Sequence, residues 1–229
     1  MSEASPEGPD LSVRLTAIAS ATALIAFWLV AIFNRHFLEH YVGGELGIIE
    51  NAQFLILVAA ILIVLATLAR PSTWNERWLA IWLALFAVGL IYIAGEEISW
   101  GQHYFRWATT GWFELHNDQG ETNLHNTSSW LDQKPRALLL VGMIVGGIIH
   151  PLVKLARRGK GLFDRPWWLA PTLAATPPAL AAEIAALPER LDDVLPTNLQ
   201  FYRASEVEEL FLYAFLVVYV LSIARRLRA

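Results

Sequence analysis

Apolar runs close to twenty residues long recur along this chain, and they leave little choice of fold. They read as Leu15–Phe33, Phe54–Arg70, Trp78–Ala94, Ala137–Val153, Trp167–Leu187 and Leu210–Ala224. A helix needs about 20 apolar residues to cross a hydrocarbon core, because lipid offers its backbone no hydrogen-bond partners. A mean hydropathy of +0.43 and 55% hydrophobic residues fit a multi-span membrane protein rather than a soluble domain. The expectation is an all-α polytopic bundle of about six helices, with spans near 15–34, 47–70, 77–98, 136–156, 166–187 and 206–226. A polar tail, 1–13, precedes them, and a long outer loop folds back between the third and fourth. The fifth span is the least regular, because Pro166, Pro171, Pro177 and Pro178 punctuate it and Glu183 lies inside it.

The chain contains no cysteine, which removes disulfides and thiol chemistry. Its first residues are acidic (Glu3, Glu7, Asp10), with only Arg14 before an apolar run longer than a signal's core, so Leu15–Phe33 reads as a retained span. Basic residues set the orientation. With the N-terminus inside, Arg14, Arg70, Arg77, Lys154, Arg157, Arg158, Lys160, Arg165, Arg225, Arg226 and Arg228 are cytoplasmic, leaving Arg35, Arg106, Lys134, Arg136, Arg190 and Arg203 outside. Both termini are therefore expected in the cytoplasm. Most acids fall on the outer side, where such a field favours cations or cationic head groups and disfavours nucleic acid.

One polar stretch stands apart. Gly95-Glu96-Glu97-Ile98-Ser99-Trp100-Gly101-Gln102-His103 ends the third apolar run, and Asn117 to Asn126 follows in the same outer loop. Carboxylates at the end of a membrane-length helix are costly, so they imply a partner or a task. If the helix continues past Glu97, then Glu96, Ser99 and His103 share a face. Ser99 and His103 at that spacing suit either a nucleophile and its base or an interfacial hydrogen-bonded cluster, and no oxyanion hole is legible. The loop carries Asn117, Gln119, Glu121, Asn123, His125 and Asn126 behind the anchors Trp112 and Phe113, which suits an element folded over the mouth. The plainer reading is a solvated loop with turns at Asn117-Asp118 and Gln119-Gly120, and with Asn126 or Thr127 capping a short helix over 128–133.

Other polar groups fall on the same side. Glu50 opens the second span, and Glu206, Glu208 and Glu209 open the last. Ser205-Glu206-Val207-Glu208 spells a capping box, which leaves Glu209 as the deeper, site-facing acid. His36-x-x-Glu39-His40 matches the inverted zincin spelling, so His36, His40 and His125 are candidate ligands for a divalent metal such as zinc. Interfacial histidines beside the anchor Tyr41 are the simpler account. Gly142-x-x-x-Gly146 reads as close helix packing and His150-Pro151 as structural.

Two function classes fit. The first is a hydrolase of a lipid or lipid-linked substrate, acid/base or metal-assisted. Glu97 would be its general base and His125 its acid or a ligand, with Glu96 and Asn126 orienting them. Ser99, Gln102, His103, Asn117, Gln119, Glu121, Asn123, Glu50 and Glu209 would bind the substrate. The second is a carrier, sensor or accessory subunit whose acidic mouth binds a cation or a protein partner.

The octapeptide from Gly95 to Gln102, followed by Asn123-Leu124-His125-Asn126, resembles a signature of uncharacterised bacterial multi-pass membrane proteins. The likeness covers about residues 95–126, with weaker likeness at Glu45–Gln53 and Glu206–Glu209. It implies a bacterial inner-membrane location and no particular reaction. Intramembrane prenyl-protein proteases also open a motif with paired glutamates, but they place Arg where this chain has Gly101. Ceramidase-like membrane hydrolases group His, Asp and Ser around zinc, with paired histidines in a late span that has none here.

Overall fold

The long helices begin and end where the sequence provides caps and breakers. In a computed structural model describing residues 10–42, 46–117, 119–194 and 204–227, Ser12 accepts from the Leu15 amide at 3.4 Å and starts α1 (Val13–Phe33). Gly47 precedes α2 (Ile48–Leu68), and Pro71 opens a short turn that leads to α3 (Arg77–Glu97). The helix α4 (Ser129–Met143) passes through a π-helical stretch, Ile144–Ile149, into a last segment, His150–Ala156. Two more follow: α5 (Thr176–Val194) and α6 (Ala204–Arg226). Among the described residues five helices, Val13–Phe33, Ile48–Leu68, Arg77–Glu97, Lys134–Ala156 and Ala204–Arg226, are long and apolar enough to cross a membrane. The chain is an all-α polytopic bundle of the lipid bilayer.

The expected fifth span differs. Residues 166–172 are irregular, Leu173–Ala175 form a 3₁₀ turn, and α5 starts only at Thr176. Pro177 and Pro178 sit in its first turn, where the missing amide protons cost no helical bond. Pro166 and Pro171 hold the chain out of a helix before that. Because α5 carries Glu183, Arg190 and Asp192, it is not among the five apolar helices. With the segment before it, it still runs the length of the bundle: Thr172, just ahead of the 3₁₀ turn, meets Ser222 at 3.2 Å at one end, and Arg190 of α5 reaches Glu208 at the other.

The last helix is the axis. Phe211, Leu212, Phe215, Leu216, Tyr219, Val220 and Ile223 are buried along it, against α2 and the alanine face of α5 (Ala179, Ala182, Ala185, Ala186). Lipid supplies no hydrophobic drive between helices, so small residues that permit close approach take its place. A methyl group on Gly147 would stand 2.7 Å from the Phe215 ring, and one on Gly146 would stand 3.1 Å from Pro171. The expected Gly142–Gly146 pair is corrected here. Gly142 meets nothing within 4 Å, and the π-helical turn brings the adjacent Gly146 and Gly147 to the packed face instead. By contrast α1 buries only Ser20 and Leu24 and leaves Leu15, Ile18, Ile25, Leu29 and Ile32 exposed, as a lipid-facing helix should.

Two ends are distinguishable. At one, Asp10 accepts from Ser222 at 2.6 Å, Arg70 donates to the Ala224 carbonyl at 2.6 Å, and Trp167 donates to Glu76 at 2.9 Å. The start of α1 and the end of α6 thus share an end. At the other, Gln53 is fully enclosed and donates to the Glu206 carbonyl at 2.9 Å, which joins the start of α2 to the start of α6.

Candidate functional site

The polar octapeptide does not continue α3 as a straight helix. The helix stops at Glu97, and Ser99 (φ 46°), Trp100 (φ 56°) and Gly101 (φ 104°) all adopt left-handed conformations. Two of those three carry side chains, each costing about 1–2 kcal/mol, so the reversal has to be held in place. Trp100 holds it from one side. Its indole folds back over Gly95, and its Nε1 donates to Glu96 Oε1 at 2.8 Å. Glu96 Oε2 accepts from the Leu124 amide at 2.7 Å, so this buried carboxylate ties the outer loop to the helix end.

The loop is held as tightly from the other side. Gln102 Oε1 accepts from the Thr122 amide at 2.6 Å, while its Nε2 donates to Thr109 Oγ1 at 2.8 Å. Asn117 Oδ1 accepts from the amides of Gln119 and Glu121, and its Nδ2 donates to Asn123 Oδ1 at 2.9 Å. Asn123 Nδ2 in turn donates to Ser99 Oγ at 2.9 Å and to Glu121 Oε2 at 2.5 Å. Asn126 donates to Glu121 Oε2 at 3.0 Å and to Gln119 at 3.1 Å. The segment folds back as a scaffold of amides around Glu121, and Asn126 does not cap α4. Ser128 takes that role, accepting from the Trp130 amide at 3.2 Å.

Ser99 and His103 meet, although by a kink and not along a helix face. Ser99 Oγ lies 2.9 Å from His103 Nε2 and donates to Glu121 Oε2 at 2.9 Å, and the same Nε2 lies 3.1 Å from Glu121 Oε1. A nucleophile, base and orienting acid would use both ring nitrogens in series. Here one nitrogen touches both partners, and Ser99 is fully enclosed. Of the two arrangements the spacing allows, the geometry is that of a hydrogen-bonded cluster.

These walls enclose a cavity of about 350 Å³ at this end of the bundle, between α2, α3, α4 and α6. Glu50, Glu96, Glu97, Glu121, Glu206 and Glu209 line it with His103, Gln119, Asn126, Tyr92 and Tyr213, and Arg136 is the only guanidinium among its described lining residues. Tyr213 donates to Glu97 Oε1 at 2.6 Å. Arg136 pairs with Glu209 at 2.9 Å and Glu208 at 3.0 Å, and Arg190 holds the other oxygen of Glu208. The capping-box expectation is corrected: α6 already begins at Ala204, and Glu208 spends its oxygens on two arginines. At the rim Tyr104 donates to Asn51 at 2.7 Å, and its phenol is held above the ordinary range by burial and by the neighbouring charge of Glu50.

Of the sequence-predicted residues, Glu50, Glu96, Glu97, His103, Gln119, Glu121, Asn126 and Glu209 come together in this cavity. Ser99, Gln102, Asn117 and Asn123 stand behind its wall and hold it. His36 and His40 are exposed and do not line it. Their rings lie 4.1 Å apart, His40 Nδ1 contacts the His36 carbonyl, and Glu39 is paired with Arg35. Among the described residues no three His, Asp or Glu side chains form a metal-sized cluster. The side chain of His125, expected as acid or ligand, lies outside the described residues, as does Glu45. Reading the sequence missed Tyr213 and Arg136. Tyr213 follows Glu206 and Glu209 at helical spacing and was legible, whereas Arg136 is visible only through the acids it meets.

Beneath the cavity an apolar groove of about 200 Å³ runs along α3, lined by Trp82, Leu85, Phe86, Gly89, Leu90 and Leu216. Ile93 and Leu139 line both spaces, so the two adjoin. Gly89 opens the groove, since nothing lies within 4 Å of the position its Cβ would take.

Fold and site together define a polytopic helical membrane protein with an acidic cavity at one end of its bundle. The chain belongs to the DUF1275 family, described as proteins of unknown function, whose family model matches residues 7–175. No curated protein and no solved structure matches it.

Proposed function

We propose that this protein binds an ammonium-bearing lipid from the outer leaflet of a bacterial inner membrane, with both termini in the cytoplasm. The observation that carries the reading is that a carboxylate-rich cavity adjoins an apolar groove at Ile93 and Leu139. A polar head and an acyl chain need that pair of spaces side by side in that order. The cavity is of the size that ligand sites have, and its acids outnumber its one guanidinium, which selects a cationic group. Among the described residues the carboxylates are spread around the walls and do not gather into a metal-sized cluster, an arrangement that suits an organic ammonium. In this reading the protein is a carrier, sensor or accessory subunit for the lipid.

A hydrolase of the same lipid is the second reading, supported by Glu97 and His103 facing the cavity with Tyr213 and Glu121 as their partners. Glu97 would take a proton from the attacking water.

Native mass spectrometry of the detergent-solubilised chain tests the binding. Phosphatidylethanolamine should be retained about tenfold better than phosphatidylglycerol with the same chains at this site, and Glu97→Gln or Glu209→Gln should erase the preference. Glu39→Gln, in the exposed first loop, should keep it. Loss of neither lipid relative to the other in Glu97→Gln and Glu209→Gln defeats the reading. Release of the head group on incubation, lost in Glu97→Gln while lipid retention persists, would select the hydrolase.

A further inference from the structure

The opposite end of the bundle has its own cavity, of about 460 Å³, between the His150–Ala156 helical segment, the stretch before α5 and the end of α6. Its charged lining is inverted: Lys154, Arg158 and Arg226 face it with Asp164 as the only carboxylate among the described lining residues. We infer that this cavity is a binding site for an anionic phosphate group, that of a lipid head group or a free phosphate, independent of the acidic cavity.

Three observations support it. The first is the state of Arg226. Its Nε and Nη1 are spent on the carbonyls of Ser222 at 3.3 Å and Trp167 at 3.2 Å, and its Cζ sits 4.9 Å from the Trp167 ring centroid. Its Nη2 is enclosed and has no hydrogen-bond partner. A guanidinium donor out of water with nothing to bond is expensive, and a phosphate oxygen is the acceptor its fork suits. The second is the weak pairing of the cavity's own carboxylate, since Asp10, whose charge reaches Arg226, does not line the cavity. Asp164 lies 3.9 Å from Lys154, and both of its oxygens are engaged by the Gly161 amide, at 3.0 and 2.8 Å. Lys154 and Arg158 therefore remain available to a ligand.

The third is a built floor. His150 is buried, and its Nδ1 accepts from the amides of Leu162 and Phe163 at 3.1 and 3.2 Å. A ring nitrogen that accepts two amide protons carries none itself, so the imidazole is neutral with its proton on Nε2. A methyl group on Gly161 would stand 2.3 Å from its Cε1, so that glycine is what lets the loop close over the ring. Trp167 and Phe163 give the cavity an apolar side beside its cations, as a lipid phosphate at the membrane surface requires.

The test uses the full chain in detergent with defined probes. Native mass spectrometry should show phosphatidylglycerol retained at least fivefold better than phosphatidylcholine at a site that the Lys154→Gln/Arg158→Gln pair weakens at least fivefold. Asp164→Asn should strengthen retention, a gain that a misfolded variant does not show. Arg157→Gln/Lys160→Gln removes two nearby exposed charges outside the cavity and should leave retention unchanged. Displacement of the lipid by millimolar inorganic phosphate would assign the site to the free anion, and persistence would assign it to the head group. No preference for the anionic lipid together with no phosphate effect overturns the inference, as does equal loss in the Arg157→Gln/Lys160→Gln control.

Discussion

The indole of Trp100 lies directly over Gly95: a methyl group on that glycine would stand 2.8 Å from ring carbon Cε3. This contact explains the spelling of the octapeptide. Gly95 leaves room for the ring, the ring's Nε1 fixes Glu96, and Gly101 at φ 104° completes the reversal. Gly95→Ala should therefore destabilise the protein by about 1–3 kcal/mol through overpacking. In a Trp100→Ala background the same substitution should cost little, and thermal unfolding of the four proteins in the cycle measures the coupling.

Glu96 accepts from two donors in separate segments, the Trp100 indole and the Leu124 amide. Glu96→Ala leaves both without their acceptor, at a cost of about 1–3 kcal/mol for each donor left buried. Hydrogen exchange over residues 119–127 should accelerate in Glu96→Ala and remain slow in Glu97→Gln, whose partner Tyr213 lies on α6. Equal acceleration in both variants would mean that Glu96 does not hold the loop.

Gly89 separates binding from stability. A Cβ there meets nothing within 4 Å, and a leucine side chain extends into the groove below the cavity. A thermal midpoint no lower than that of the unmodified protein, together with at least a fivefold loss of phosphatidylethanolamine, is the expected result of Gly89→Leu. Retained lipid would show that the groove does not hold the chain.

Asp10 gives a pH dependence. Burial works to raise its pKa, but hydrogen bonds from Ser222, Thr172 and the Leu11 amide, with the charge of Arg226, outweigh that and hold it below the ordinary 3.8. A carboxylate lowered on folding stabilises the folded state above its unfolded pKa and loses that contribution as pH falls through the folded value. Acid unfolding below about pH 4 should accordingly be shallower in Asp10→Asn, as followed by tryptophan fluorescence.

The bundle was legible because lipid-crossing helices need long apolar runs, and the runs at Leu15–Phe33 and Leu210–Ala224 fall inside α1 and α6. The helix α5 was shifted because prolines at 166 and 171 delay it, a tertiary choice that hydropathy does not encode. Clustering of acids from separate hairpins was foreseen in Glu50, Glu97 and Glu209. The straight continuation of α3 was not borne out, since no propensity scale places three left-handed residues in succession at Ser99, Trp100 and Gly101. Nor does sequence distinguish a residue that faces a cavity, such as His103, from one that braces its wall, such as Ser99.

A phosphatidylethanolamine carrying a photoreactive diazirine in mid-chain tests the adjoining cavity and groove most directly. The account predicts cross-links concentrated on Trp82–Ile93 of α3 and on Leu139 and Leu216, suppressed by Glu97→Gln and by Gly89→Leu. Labels spread over outward faces such as Leu15, Ile18 and Leu62, and unchanged in both variants, would contradict it.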